Sequence, residues 1–293
     1  MDSRNQTYSR QCQFLDESYF LRVYDAFIAA FGDYVIPFDL SEQQFRNHIA
    51  LNAVELESSV GMLDNEKLVA FTLNGFGLWN GRRTVYDAGT GVLPEFRRRG
   101  LGITMFDVMM PIFKDRGYEQ CLLEVITTNK NAISMYEKLG FGKIRTLSLL
   151  ELTGEVNFGP DAVIDVELRD IDHPDWEFLQ TFWDGEPSWQ NSVSAVERSR
   201  LNKRFVGAFH EGDCLGYIIY SSGNGRIAQI AVDPNYRGLG IGSLLLKKLL
   251  AEHTGDSAPQ VINIDRSLHE AMTFFENRGF KTKLSQFEMI RAI

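Results

Sequence analysis

The sequence predicts an α+β protein of two tandem domains, each a mostly antiparallel twisted mixed sheet flanked by helices. Three observations carry this. One short segment is written twice, as Val92-Leu-Pro94-Glu-Phe-Arg97-Arg98-Arg99-Gly100-Leu-Gly102 and as Val232-Asp-Pro234-Asn-Tyr-Arg237-Gly238-Leu-Gly240-Ile-Gly242. Each copy follows a strand-like stretch and opens an amphipathic helix. Each is followed by a second helical stretch ending in Gly-Phe, at Gly140-Phe141 and Gly279-Phe280. A separation of about 140 residues is the size of a domain, so the chain is a duplicated domain and not a solenoid.

The elements follow in order. A strand is expected near 11–15, then helices over 19–31 and 41–51, the second opened by a capping box of Ser41 and Gln44. Strand-like runs at 58–63, 68–78 and 84–92 are separated by turn residues at 64–66 and by Asn80-Gly81, which predicts an antiparallel meander. A helix over 100–116 stops at Gly117. A strand at 120–127, a helix at 129–139 and strand material at 143–152 complete a first domain over 1–153. Gly154, Gly159 and Pro160 mark a linker over 154–162. The second domain, 163–293, repeats the order: a strand at 163–168, helices at 176–183 and 192–201, and strands at 205–210, 214–221 and 226–232. A helix at 241–252, a strand at 260–264, a helix at 268–277 and a strand at 281–290 follow.

Composition bounds the function. At 293 residues, each half is long enough to bury its own core. The hydrophobic fraction of 44% and charged fraction of 24% are those of a globular protein. No apolar run reaches the length of a membrane span, and Met1 is followed by Asp, Arg, Asn and Gln within its first residues, not by a signal-peptide core. The net charge of −9 argues against nucleic acid as a partner and suits a cationic acceptor. Cys12, Cys121 and Cys214 are scattered and odd in number, which predicts reduced thiols and a cytoplasmic protein. The five histidines show no metal-ligand spacing, so no metal is expected.

The repeated segment has a plain physical use. Its glycines remove Cβ atoms where backbone meets ligand. The first N–H groups of the following helix, with the positive end of its dipole, face an anion. Nearby arginines add charge-assisted bonds. This describes a phosphate or pyrophosphate site. A nucleotide P-loop is excluded, because neither copy has Gly-Lys-Ser/Thr after four spacers. A dinucleotide fingerprint needs a further glycine where Met105 and Ser243 stand.

Asn129, Ala132 and Tyr136 are spaced to share one helix face, with a small residue at the centre. Together these segments resemble the GCN5-related N-acetyltransferase (GNAT) superfamily. Arg97–Gly102 and Arg237–Gly242 match its acetyl-CoA motif, and Asn129, Ala132, Tyr136, Gly140 and Phe141 match its second motif. The resemblance covers nearly the whole chain and says little about the acceptor.

The resemblance implies an N-acetyltransferase that moves an acetyl group from acetyl-CoA to a primary amine of a small molecule or peptide, by direct attack in a ternary complex. It implies cofactor contacts from Val92, Arg97, Arg98, Gly100, Gly102, Ile103, Thr104 and Asn129. The second half would contribute Val232, Arg237, Gly238, Gly240 and Gly242. A backbone N–H near Val92 would polarise the thioester, and Tyr136 would give its proton to the departing sulfur. Glu124 is the expected general base, with Asp87 the alternative. The acceptor pocket would be built from 32–38 and, in the second half, from 183–189.

The second half has Leu268, Ala271 and Phe275 where the first has Asn129, Ala132 and Tyr136, and Asn263 where the first has Glu124. It keeps the fold and loses the acid and the base. We therefore expect a catalytic first half and a second half that binds CoA with little or no turnover. The rival readings are a non-catalytic acyl-CoA-binding or sensing protein and an interaction scaffold. The chain is expected to be a monomer or homodimer, with neither nucleic acid nor membrane as partner.

Overall fold

A computed structural model describes residues 10–33, 40–159 and 162–293. The chain divides into two compact units, one of Met1–Ile144 with Met289–Ile293, the other of Arg145–Glu288.

The first unit contains β1 (Arg10–Phe14), α1 (Phe20–Phe31), α2 (Glu42–Leu51), β2 (Val60–Asp64), β3 (Lys67–Trp79), β4 (Arg82–Val92), α3 (Leu101–Asp115), β5 (Gln120–Ile126) and α4 (Lys130–Lys138). The predicted capping box closes: Gln44 N–H donates to Ser41 Oγ at 3.3 Å, and Ser41 N–H donates to Gln44 Oε1 at 2.8 Å. Both predicted hairpins turn through paired left-handed residues, Asn65-Glu66 and Asn80-Gly81, whose twist matches that of the flanking strands. Strands β1 to β4 pair antiparallel, and β4 pairs parallel with β5. The parallel ladder runs from Thr84↔Gln120 to Asp87↔Leu123 and stops there. β4 continues to Val92 and β5 to Ile126 without pairing to each other, so the sheet opens between them at that point.

One face of this sheet is sealed by Phe27 of α1, Phe45 of α2 and Phe71 of β3, whose rings pack within 6.0 Å of one another where they meet. Phe106, Tyr136 and Phe141 pack edge to face among α3, α4 and the segment that follows α4. Buried side chains of this size stabilise by about 1.5–3 kcal/mol each.

The second unit contains β7 (Glu167–Asp170), α5 (Trp176–Leu179), α6 (Val193–Arg198), β8 (Arg204–His210), β9 (Asp213–Ser221), β10 (Arg226–Val232), α7 (Ile241–Glu252), β11 (Gln260–Asp265) and α8 (His269–Glu276). β7 to β10 pair antiparallel. The parallel β10–β11 ladder holds at Arg226↔Gln260 and Ile227↔Val261, beyond which this sheet opens too. The helices expected at 176–183 and 192–201 are shorter than predicted. Asp175 and Ser192 cap their starts, and both decay into single 3-10 turns.

The division differs from the boundaries expected at 153 and 163. β6 (Gly142–Leu152), expected to close the first domain, lies mostly in the second unit. It pairs antiparallel with β11 through Leu147↔Asp265, Ser148↔Ile264, Leu150↔Val261 and Glu151↔Gln260. Leu150 is fully buried in the second core with Ile227, Leu245, Leu249 and Phe275. Conversely, β12 (Phe280–Ala292) ends in the first unit, where Ile293 N–H donates to Glu119 C=O at 3.0 Å. Of the expected strand at 163–168, only Glu167 and Leu168 are in β7.

Candidate active site

Both phosphate turns take the same backbone course. Gly100 (φ 78°) and Gly240 (φ 88°) are left-handed N-caps of α3 and α7, and neither helix has a side-chain cap. The first intrahelical bonds are Thr104 N–H to Gly100 C=O (3.1 Å) and Leu244 N–H to Gly240 C=O (3.0 Å). The N–H groups of Leu101, Gly102 and Ile103 therefore precede the ladder and carry the positive end of the helix dipole. Thr104, expected among the phosphate contacts, has already spent its N–H inside the helix. Gly102 has a second reason to be glycine, since a Cβ there would lie 2.5 Å from Met135 Sδ of α4. The copies differ one turn earlier. Arg98 holds φ 61° where Gly238 holds φ 78°, so the first loop keeps a cation at some conformational cost.

Arg97 and Arg237 have a role the sequence did not suggest. Arg97 Nε donates to Val92 C=O at 3.1 Å. Its other nitrogens reach Ala30 C=O at 2.9 Å and both carboxylate oxygens of Asp33 at 2.6 and 2.7 Å. Arg237 repeats this with Val232 C=O (3.1 Å), Phe182 C=O (3.0 Å) and Asp184 (2.9 Å). Each guanidinium ties the end of the central strand to the end of the first helical segment. Most of the donors of both side chains are thus committed to the frame of the turn, a role the expected phosphate contact did not include.

The backbone bonds after Val92 and Val232 fix where their own N–H groups point. Leu93 N–H goes to Val69 C=O at 3.0 Å, and Asp233 N–H goes to Leu215 C=O at 2.9 Å. Successive N–H groups of a strand point to opposite edges. The N–H groups of Val92 and Val232 therefore point away from β3 and β9, toward the side where each sheet has opened.

Asn129 caps α4, with Ala132 N–H donating to its Oδ1 at 3.1 Å. Its counterpart Leu268 makes no side-chain cap. Asn129→Ala is expected to cost about 1 kcal/mol of stability, read as a lowered urea midpoint at unchanged slope.

Tyr136 and Glu124 lie on either side of the opening. The Tyr136 hydroxyl is buried and donates to Asp87 Oδ2 at 3.0 Å, and Asp87 is the last residue of β4 paired with β5. Glu124 follows the last paired residue of β5 and accepts a hydrogen bond from the Tyr86 hydroxyl. Neighbouring residues of a strand face opposite sides, so Tyr86 with Glu124 and Asp87 with Tyr136 occupy the two faces of the sheet.

Asp87 is 5% exposed, and burial pushes its carboxyl up to about 6. Hydrogen bonds from Thr90 (2.8 Å), Tyr136 and the Gly89 N–H (3.0 Å) pull the other way. The hydroxyls of Thr90 and Thr72 are 3.0 Å apart, which completes a polar cluster under the sheet opening. Cys121, two residues before Leu123, is fully buried. Burial raises its thiol pKa well above the ordinary value, so it is no nucleophile.

Register shows how thoroughly this cluster is lost in the second unit. Thr72 pairs with Thr90 across β3–β4, and Ile218 pairs with Ile230 at the matching place in β9–β10. Asp87 corresponds to Ile227, and Tyr136 corresponds to Phe275. Ile218 and Ile227 are fully buried and Phe275 is 1% exposed. Thus Thr72, Asp87, Thr90 and Tyr136 become Ile218, Ile227, Ile230 and Phe275 together. By register the place of Glu124, directly after the last paired residue of the strand, falls to Ile262. Asn263, expected there from the sequence, is one residue further on at an irregularity of β11, where it holds φ 55° and accepts from Gln286 Nε2 at 2.8 Å. The sequence signal for Asp87 as the partner of Tyr136 was this joint change between copies.

The second unit nevertheless holds a cavity of about 770 Å³. One end is the α7 start, with Gly240, Gly242 and Ser243. Arg278 lies there, with Nη2 on Ser243 Oγ at 2.6 Å. Asn191, Tyr217 and Gln229 also line it, as do residues 183–187 of the 183–189 segment. In the first unit, Tyr34 to Phe38 of the corresponding segment lie outside the described residues. Among the described residues, no group of three or more His, Cys, Asp or Glu is arranged to hold a metal. No described helix is long and apolar enough to cross a membrane.

This geometry, an opened sheet with a glycine-started helix at its mouth, is shared with known proteins. The model of the acetyltransferase (GNAT) family matches residues 18–141 and 166–280, and the chain belongs to that family in both halves. It is 40% identical over 65 residues to an N-alpha-acetyltransferase of Saccharolobus solfataricus, a stretch covering 22% of this chain and 39% of that protein. It is 30% identical over 110 residues to the [Ribosomal protein bS18]-alanine N-acetyltransferase of Escherichia coli, covering 36% of this chain and 66% of that protein. The chain thus spans less than two thirds of these curated relatives. Two solved structures share the fold over nearly the full length, both with TM-score 0.73. A GCN5-related N-acetyltransferase from Sphaerobacter thermophilus is 15% identical over 97% of this chain and 95% of that one. A tandem GNAT protein from the clavulanic acid biosynthesis pathway is 14% identical, with coverages of 97% and 98%.

Proposed function

We propose that this chain moves an acetyl group from acetyl-CoA to a primary amine, with the chemistry in the first unit. The observation that carries this reading is the pair of proton-handling groups flanking the sheet opening, Glu124 on one face and Tyr136 on the other. The α3 start with Gly100, Gly102 and Ile103, the exposed Arg98 cation and the inward Val92 N–H suit the anionic and carbonyl parts of the co-substrate. Arg97 contributes by holding the turn, and Asn129 by holding α4.

A protonated amine is not a nucleophile. Glu124 accepts its proton, directly or through one water, and the freed lone pair attacks the thioester carbon. The Val92 N–H bears on the carbonyl oxygen where negative charge develops. Tyr136 gives a proton to the departing sulfur. The names of the curated relatives make the α-amino group of a peptide the first acceptor to test, beside small amines. Three free thiols, Cys12, Cys121 and Cys214, support a reducing compartment such as the cytoplasm.

The second unit is read as a binder of the same co-substrate, through Val232, Gly238, Gly240 and Gly242 with Arg237 as the frame of the turn. The test is thiol release from acetyl-CoA against a panel of free-amine peptides and small amines, with calorimetry of CoA in parallel. Thiol release that depends on the amine is expected. CoA binding with no release against any amine would overturn the enzyme in favour of an acyl-CoA sensor.

A further inference from the structure

We propose that His48 of α2 is a positioning residue for the Asp87–Tyr136 pair, holding through its Nε2–H the carbonyl of a bulged residue of β4, Ala88. This rests on the reading that the chemistry lies in the first unit, and it adds a residue that touches neither substrate nor co-substrate.

The bulge comes first. Across β3–β4, Asn74 pairs with Asp87 and Leu73 with Gly89, so Ala88 is an extra residue on β4. In a regular strand, residues three apart face opposite sides. An inserted residue resets the alternation beyond it and re-aims the side chains that follow. Thr90 therefore shares a face with Asp87, and its hydroxyl reaches Asp87 Oδ2 at 2.8 Å. Without the bulge Thr90 would turn away, and the cluster of Thr72, Asp87, Thr90 and Tyr136 would not close.

Two side chains fasten the bulge. Asp87 Oδ1 accepts from Gly89 N–H at 3.0 Å, and Ala88 C=O lies 3.1 Å from His48 Nε2. A carbonyl only accepts, which assigns the ring proton to Nε2. Nδ1 is then an acceptor, 3.3 Å from Asn52 Nδ2. The same Nδ2 donates to His48 C=O at 2.9 Å, which fixes the orientation of the amide.

The support behind His48 is stiff. The segment after α2 is bound to β3 by Glu55 N–H on Asn74 C=O and by Phe76 N–H on Ala53 C=O, both at 3.1 Å. Val54 pairs with Gly75, where a Cβ would lie 2.0 Å from the Asn52 carbonyl oxygen. The imidazole packs against Phe27 and Phe45, at 5.6 and 6.3 Å between ring centroids. Asn74 is the residue opposite Asp87. The end of α2 thus grips both strands at the bulge, β3 through backbone and β4 through His48.

The second unit separates this role from folding. It has the same bulge, with Ala228 inserted between Ile227↔Tyr220 and Gln229↔Ile219. There Ile227 and Ile230 pack in the apolar core, and α6 contains no histidine. The bulge therefore forms without an imidazole. Apolar packing is non-directional, whereas the hydrogen bonds of the first unit's cluster need aligned donors and acceptors. The imidazole accompanies the polar cluster.

The test compares the full chain with His48→Leu and His48→Gln. Glutamine carries a donor and an acceptor two bonds apart, as imidazole does, and leucine carries neither. In thiol release from acetyl-CoA, His48→Leu is expected to lower kcat by about tenfold or more, with KM for acetyl-CoA within about twofold. His48→Gln is expected to keep kcat within about threefold of the parent. Amide exchange at Gly89, followed by NMR, is read in parallel and needs no acceptor amine. It is expected to be about tenfold faster in His48→Leu and close to the parent in His48→Gln. If His48→Leu does not fold, His48→Asn takes its place, its amide one carbon shorter than that of glutamine. A parent that releases no thiol with any amine would sink the proposed activity, and Gly89 exchange would then decide alone. Unmoved Gly89 exchange, a lowered urea midpoint with kcat unchanged in His48→Leu, or a His48→Gln as slow as His48→Leu would overturn the proposal.

Discussion

Tyr136→Phe is expected to lower kcat by about 10²–10⁴-fold, the usual contribution of a positioned acid, while calorimetric affinity for acetyl-CoA stays within about twofold. The change removes one oxygen from a buried ring. The edge-to-face packing of that ring on Phe106 and Phe141 is retained. The second unit shows that Phe fills this place in the fold, but there Phe275 has Ile227 beneath it and not a carboxyl. Tyr136→Phe alone therefore strips Asp87 of a donor, with a stability loss of about 1 kcal/mol. The double variant Tyr136→Phe/Asp87→Ile reproduces two positions of the apolar cluster. It is expected to recover stability relative to the sum of the single changes while remaining inactive. That pattern separates the chemical loss from the structural one. A kcat within threefold of the parent for Tyr136→Phe would remove the hydroxyl from the mechanism.

What the sequence revealed and what it concealed divide along a physical line. The duplicated turns were legible because Gly100 and Gly240 adopt left-handed backbone that glycine tolerates, and because helix starts and hairpin turns are written in adjacent residues. Ser41 with Gln44, and Asn80 with Gly81, were legible for the same reason. The assignment of β6 was not, because Leu147 and Leu150 read equally well as strand residues of either half. Only pairing with β11, over a hundred residues later, decides it. The framing role of Arg97 and Arg237 was not legible because their sequence neighbours are the turn glycines, whereas their spatial neighbours are Asp33 and Asp184. The Arg145–Glu288 pair, separated by nearly the whole second half, leaves no local trace. The Thr72, Asp87, Thr90 and Tyr136 cluster stands between these cases. No single residue of it is diagnostic, but comparison of the two copies at matched register finds all four exchanged at once.

That cluster also predicts a signature in stability. Asp87 has a folded-state pKa of about 6 against an ordinary value of 3.8, raised chiefly by burial. Between those values the folded protein binds a proton that the unfolded chain has released. A raised acid pKa therefore contributes stability below about pH 4, and this contribution fades as pH rises through about 6. A shift of this size corresponds to at most about 3 kcal/mol. Asp87→Asn keeps the shape and cannot ionise, so it lacks this term. Urea unfolding of the parent and of Asp87→Asn at pH 4.5 and pH 7.5 is expected to show the parent losing stability relative to the variant as pH rises, by about 2 kcal/mol. The same pair of proteins tests why the carboxyl is retained at that cost. If Asp87 orients the Tyr136 hydroxyl, Asp87→Asn lowers kcat and leaves KM for acetyl-CoA unchanged, and it flattens the limb of the pH–kcat profile near pH 6. A parent and variant that run parallel across this pH range would mean that the Asp87 carboxyl is solvated in the folded protein, and the buried acid–hydroxyl pair would have to be abandoned.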